Sequence, residues 1–314
     1  MKKIINKFLR SLTKIILPVF FRVLIKFKLN RRVINFLNEE SYNSNNKYDF
    51  TTLLHKLINN NKIIALDVGA QGGFNSDNFF PKKYNSFFED ILIEPIKTEA
   101  EKLRDKKYII NKGLWSSKKK KRLNILGNRL GSSSMYEPNM VNFDLHDIKD
   151  KDFEKYKVTS SIEIECDTLS NQLSELNVTN LDYLKVDTQG AELEILKGIG
   201  EYRPLLIKVE VHFFSMYKNV PNWHHLLNHL SELNYVLIDL KGIGGHSTRI
   251  PAEADMIFIP NFNNETGKNL IIENKEKFIG LMLIFGQLKL LKILMKKFKF
   301  NYNELNQIED QYFN

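Results

Sequence analysis

Three short stretches of this 314-residue chain carry side chains suited to chemistry. The first is Asp67-Val-Gly-Ala-Gln-Gly-Gly73, a glycine-rich bend directly behind the apolar run KIIALD at residues 62–67. Glycines after a buried strand let the backbone turn tightly and approach a ligand. The spacing is D-x-G-x-x-x-G, not the G-x-G-x-x-G of a dinucleotide phosphate cradle. The second is Glu94, closing the run DILIE at residues 90–94. An acid one strand further on is placed to accept both hydroxyls of a ribose. The third combines Asp187, where the run DYLKVD (182–187) ends, with Glu210 and His212 in LLIKVEVHF (205–213). Two positions apart on a strand, Glu210 and His212 share a face. Together these residues outline a nucleoside site without a diphosphate requirement. Beside it lie carboxylates and an imidazole able to take a proton from a hydroxyl. A plainer reading stays open: Glu210 pairs with Lys185 or Lys208, and Asp187 caps the helix behind it.

Such residues need a scaffold that brings strand ends together. Apolar runs at 62–67, 90–94, 108–111, 182–187 and 205–213 alternate with helix-like segments at 96–105, 191–197 and 222–233, and strand-like runs follow at 235–240 and 255–259. That alternation predicts an α/β protein, a mostly parallel sheet with helices on both faces. Ligands of such sheets bind beyond the carboxyl ends of the strands. A helix is expected to start near Asn75 or Ser76, and the basic run 118–122 reads as a hairpin turn before a strand at 123–126. Gly131–Ser134 near Tyr136, and the glycine-rich stretch 241–249 with His246 and Arg249, are loops that fit an acceptor or surface turns equally.

At these motifs the chain resembles the FkbM family of S-adenosylmethionine-dependent O-methyltransferases. The similar segments are DVGAQGGFNSD, LIEPIKTEAEKL, NKGLWSS, GSSS, DTLSNQL, LDYLKVDTQGAELEILKG, LIKVEVH and EADMIFI, from Asp67 to about Pro260. The resemblance implies the class I methyltransferase fold, a seven-stranded Rossmann-like sheet with an antiparallel last strand. It implies S-adenosylmethionine as cofactor and a hydroxyl, usually of a sugar in a glycan or glycolipid precursor, as acceptor. By the same resemblance Asp67, Gly69 and Gly73 form the cofactor loop, Glu94 binds ribose, and Asn111 borders the adenine side. Asp187 matches the fourth-strand acid, and Glu210 and His212 the fifth-strand pair, giving three catalytic candidates. Gln71-Gly72 departs from the family's Asn-hydrophobic pair, and Gln189 stands where Glu is also common. A lipid, polyketide or amine acceptor, or an inactive binding protein on the same fold, are the alternatives.

Composition narrows the partners. The net charge is +9, but residues 1–38 hold ten Lys and Arg and no acid, leaving 36 basic and 37 acidic residues elsewhere. A near-neutral body argues against nucleic acid, while the arm suits an anionic membrane surface or an acidic partner. Residues 3–16 have the two-faced spacing of a basic amphipathic helix, broken or kinked at Pro18. Its apolar face suits either a bilayer interface or the protein's own core. The resulting division is an arm (1–38), a linker with a leading helix (39–61), the catalytic domain (62–260) and a helical extension (261–314). The last residues, 301–314, read as polar and loosely attached. No span of about 20 apolar residues is present, and a peripheral cytoplasmic location is expected. The single cysteine, Cys166, excludes an intrachain disulfide and fits a reducing compartment. No metal site is expected: His225 and His229 lack the acid of an HExxH helix.

Overall fold

The computed structural model describes residues 49–58, 61–146, 148–242 and 251–300, with pieces at 18–20, 22, 23 and 26. The amphipathic segment 3–16, the tail 301–314, and His246 with Arg249 lie outside the described residues. Pro18, Val19 and Phe20 are helical, and the segment before them lies outside the described residues.

Ten strands are described: β1 (Ile63–Val68), β2 (Phe88–Ile93), β3 (Tyr108–Ile110), β4 (Gly113–Leu114), β5 (Lys119–Ile125), β6 (Ser160–Asp167), β7 (Tyr183–Val186), β8 (Leu206–His212), β9 (Tyr235–Lys241) and β10 (Glu253–Pro260). The helices are α1 (Thr51–Ile58), α2 (Lys97–Glu101), α3 (Leu169–Glu175), α4 (Glu192–Lys197), α5 (Trp223–Glu232), α6 (Glu265–Glu273), α7 (Lys275–Ile284) and α8 (Leu288–Phe298). Seven strands form one sheet in the order β3-β2-β1-β7-β8-β10-β9. Neighbours from β3 to β8 pair in parallel, and β10 runs antiparallel to both β8 and β9. The mostly parallel α/β sheet read from the alternation is therefore present, as a mixed sheet.

Strand parity divides the core in two. Ile63, Ala65 and Tyr183 pack with α1, α7 and α8 on one face, while Leu66, Val68, Leu184 and Val186 pack with α3, α4 and α5 on the other. Burial on both faces explains why these strands are almost wholly apolar. The same parity puts Asp67, Lys185 and Lys208 on the first face, in adjacent strands; Asp67 is the register partner of Lys185, and Lys185 of Lys208.

A second sheet, β4-β6-β5, lies apart from the first and was not read from the sequence. It overturns the turn expected at 118–122: Lys119–Arg122 belong to edge strand β5. Acids on the facing strand stabilise the basic run there. Lys120 is opposite Glu165, and its Nζ lies 2.7 Å from Glu163, an arrangement suited to an exposed edge. The helix expected at Asn75 is also absent. Asn75 has φ 55° and its side-chain amide donates to the Phe80 carbonyl at 2.8 Å, so the chain turns instead of coiling.

Candidate functional site

At the carboxyl ends of β1, β2 and β7 lies a narrow, mainly apolar cleft of about 70 Å³, bordered by Gly69, Glu94, Ile96, Leu114, Asp187 and Gln189. β1 and β7 approach very closely here. Gly69 has φ 81°, and a Cβ on it would lie 1.9 Å from the Asp187 carbonyl oxygen. Only glycine meets both demands. Gly73, also left-handed at φ 92°, closes the bend by donating its N–H to the Ala70 carbonyl at 2.8 Å. It does not border the cleft.

Glu94 faces the cleft although only 4 % of its surface is exposed. Burial pushes its carboxyl up to about 7, only partly offset by the Ile96 N–H donated to it at 2.8 Å. Asn111 holds the same loop from outside. Its amide donates to the Glu94 and Pro95 carbonyls at 2.8 and 3.1 Å. Asp67 does not border the cleft. It is buried on the α7-covered face, where Lys185 Nζ donates to it at 3.0 Å. Burial, with the charge of Asp77 adding to it, raises the Asp67 carboxyl, and Lys185 counters this only in part. The row continues with Lys208, which is 2.6 Å from Asp77 and 3.1 Å from Asp255.

A second, wider cavity of about 390 Å³ opens beyond the ends of β8 and β10 and is strongly polar. Arg129, His146, Asp152, Lys155, Tyr156, Gln189, Glu210, His212 and Glu253 line it. Gln189 therefore belongs to both clefts. Its amide donates to Glu210 Oε2 at 2.8 Å and to Asp187 Oδ1 at 3.2 Å, and its carbonyl accepts from the Tyr217 hydroxyl at 2.9 Å. Its backbone is left-handed, φ 60°, and its main-chain oxygen accepts from Ser134 Oγ at 2.6 Å. Glu192 fixes the turn by accepting the N–H groups of Thr188 and Gly190, each at 3.0 Å. A bulky residue held at positive φ by so many bonds is a mark of a built site.

The three catalytic candidates come together here, with Asp187 on the narrow cleft and Glu210 and His212 on the polar one. Burial raises Asp187, but Lys185, Lys208 and hydrogen bonds from Glu210 and Gln189 outweigh it and hold the carboxyl below its usual range. Glu210 goes the other way: burial, then the charges of Asp187 and Glu253, drive it well above the usual carboxyl range. The two carboxyls are thus pushed in opposite directions. Glu253 sits opposite His212 across the β8–β10 pair and 3.5 Å from its Nε2. It also lies 3.3 Å from His146 Nδ1, and His146 Nε2 donates to the Phe214 carbonyl at 2.7 Å. Burial raises Glu253, but the two histidines more than reverse this and hold it well below the ordinary range.

Glu253, His146 and Arg129 escaped the sequence reading, as did the central place of Gln189. Glu253 had a signal: it opens the strand-like EADMIFI, whose pairing with β8 sets it opposite His212. His146 lies in an irregular stretch with no periodicity to place it. The loop candidate Gly131–Ser134 does reach the site, since Gly131 and Ser133 border the narrow cleft and Ser132 the polar one. Cys166 is buried in β6, and its thiol is pushed up to about 11 by burial, so it is no nucleophile. Among the described residues no cluster of His, Cys, Asp or Glu has metal-binding geometry.

A mostly parallel α/β sheet with a bare-backbone bend at one strand tip and an acid at the next places this cleft where ligands of such sheets bind. The family comparison goes further: the Methyltransferase FkbM domain matches residues 67–237, more than half of the chain. The chain belongs to the FkbM methyltransferase family and is a methyltransferase. Among curated proteins no significant match is found. The matched stretch ends inside β9, so β10 with Glu253 and helices α6 to α8 lie beyond it.

Proposed function

We propose that this protein is an O-methyltransferase of the class I fold that moves a methyl group from S-adenosylmethionine to a hydroxyl of a sugar in a glycan or glycolipid precursor. The observation that carries the reading is the shared wall. Gln189 ties Asp187, on the narrow cleft, to Glu210, on the polar cavity. A donor in one and an acceptor in the other would meet at that wall. The sheet order, with one antiparallel strand between β8 and β9, supports the fold assignment.

The residues of the narrow cleft fit the cofactor. Glu94 is placed for the ribose hydroxyls, Ile96 and Leu114 offer apolar surface to a base, and the bare backbone at Gly69 leaves room. Gln71, Leu130 and Met135 also border the cleft, and the flexible Met135 can adapt to what enters it. When bound, the cofactor supplies a methyl group already activated on a sulfonium. The protein's task is then to align the acceptor oxygen and to remove its proton. His212 takes that proton, and the ionised Glu253 stabilises the imidazolium that results. Asp187 and Glu210, bridged by the Gln189 amide, orient the hydroxyl.

The polar cavity supports a sugar over a lipid acceptor. An apolar acceptor would displace water from this polar lining and return no hydrogen bonds to it. Calorimetry with S-adenosylmethionine tests the cofactor: saturable binding that Glu94→Ala weakens at least about tenfold is expected. No binding to folded protein would overturn the reading. For the acceptor, mass spectrometry of glycans from cells with and without the gene should show the loss of an O-methyl group.

A further inference from the structure

Helix α8 lies outside the family match and is divided by charge. Leu291, Leu294 and Met295 are buried against the core. The opposite side presents Lys289, Lys292, Ile293 and Lys296, all exposed, within an arc of about 100°. Ile293 is 55 % exposed in the middle of these lysines. From residue 278 to residue 300 there are five lysines and no acid. Lys297 is turned away from the stripe, to the Phe262 carbonyl at 3.2 Å.

We propose that the lysine face of α8 docks this enzyme on a membrane surface rich in anionic lipid. Its inner side is anchored in the core, so the helix is a fixed part of the body that presents its charge in one direction. An exposed isoleucine ringed by lysines matches the boundary between headgroups and acyl chains. The lysines meet the negative surface, and the apolar side chain enters the layer below. A nucleic acid would leave that isoleucine unused, and the near-neutral body offers no extended basic track for one. The N-terminal arm, with ten basic residues and no acid, offers a second contact of the same sign. No helix among the described residues is long and apolar enough to cross a membrane, so α8 would lie on the surface. This docking stands apart from the reaction proposed above, because vesicle partitioning reads one and cofactor affinity the other.

The test is co-sedimentation of the full chain with phosphatidylcholine vesicles, with and without phosphatidylglycerol. The chain should sediment only with the anionic vesicles, and added salt should release it. Combining Lys289→Glu, Lys292→Glu and Lys296→Glu should lower vesicle affinity at least about tenfold while cofactor affinity holds. Should that variant misfold, the triple Lys→Gln variant replaces it and is expected to lose at least about fivefold. Unchanged partitioning of a folded triple variant, equal binding to neutral vesicles, or preference for single-stranded RNA over anionic vesicles would each overturn the proposal.

Discussion

The two clefts are built from different materials. The narrow one is mainly apolar: a left-handed glycine and the acid Glu94 at neighbouring strand ends, walled by Ile96, Leu114, Leu123 and Met135. The polar one is made by side chains from segments far apart in sequence, with His146 and Glu253 separated by 107 positions yet in contact. On the proposed reading the narrow cleft takes a cofactor common to many enzymes, and its glycine bend leaves room for it. An acceptor peculiar to one enzyme needs adjustable chemistry, and loops provide that. Gln189 is where the two meet.

The contrast breaks most sharply at the base. His212→Ala should lower kcat by about 10²- to 10⁴-fold while changing cofactor affinity less than about twofold. Steady-state kinetics together with calorimetry reads both. A comparable loss of cofactor affinity would mean that the two clefts are not separate in function.

Beneath the pair lies a support that serves both. Lys185→Met removes the partner of buried Asp67 and the neighbour of Asp187, 3.7 Å away. Urea denaturation should show a loss of about 3–5 kcal/mol, because breaking a buried ion pair strands a charge.

Glu94 sharpens the comparison through pH. Its carboxyl sits at about 7 in the folded chain against 4.5 ordinarily, so folding favours the protonated form. Stability from this group is therefore greatest at low pH and falls as pH rises from about 4.5 through 7, by on the order of 2 kcal/mol. Glu94→Gln should flatten that fall in thermal melts. Cofactor affinity in the native protein should run the opposite way and rise through pH 7, since the ionised carboxylate is the better acceptor for ribose hydroxyls. The smallest effect is expected of Asn111→Ala, which loosens the Glu94 loop without touching the cleft. Cofactor affinity should fall about fivefold, as measured by calorimetry.

The same division governs how much was legible beforehand. β1, β2, β7 and β8 stand out as apolar runs because both faces of the sheet are covered, and the glycine bend and Glu94 follow from where those runs stop. The burial of Asp67 beneath the cleft was not read: the sequence put it in the cofactor loop, and the packing of α7 shows which face it takes. The second sheet was not. β4 is two residues long, and β5 is as basic as a surface turn, its strand character coming from acids on β6. Nor was His146, whose position depends on a contact with β10 and not on local pattern. The helix expected at Asn75 fails for a similar reason, because a side-chain bond to Phe80 overrides the local preference.

The central claim is that a donor and an acceptor face each other across Gln189. A crystal structure with S-adenosylhomocysteine tests it most directly. The account predicts the ribose hydroxyls on Glu94 and the sulfur turned toward Gln189 and the polar cavity. A nucleoside lodged in the polar cavity, or a sulfur pointing away from Gln189, would contradict it.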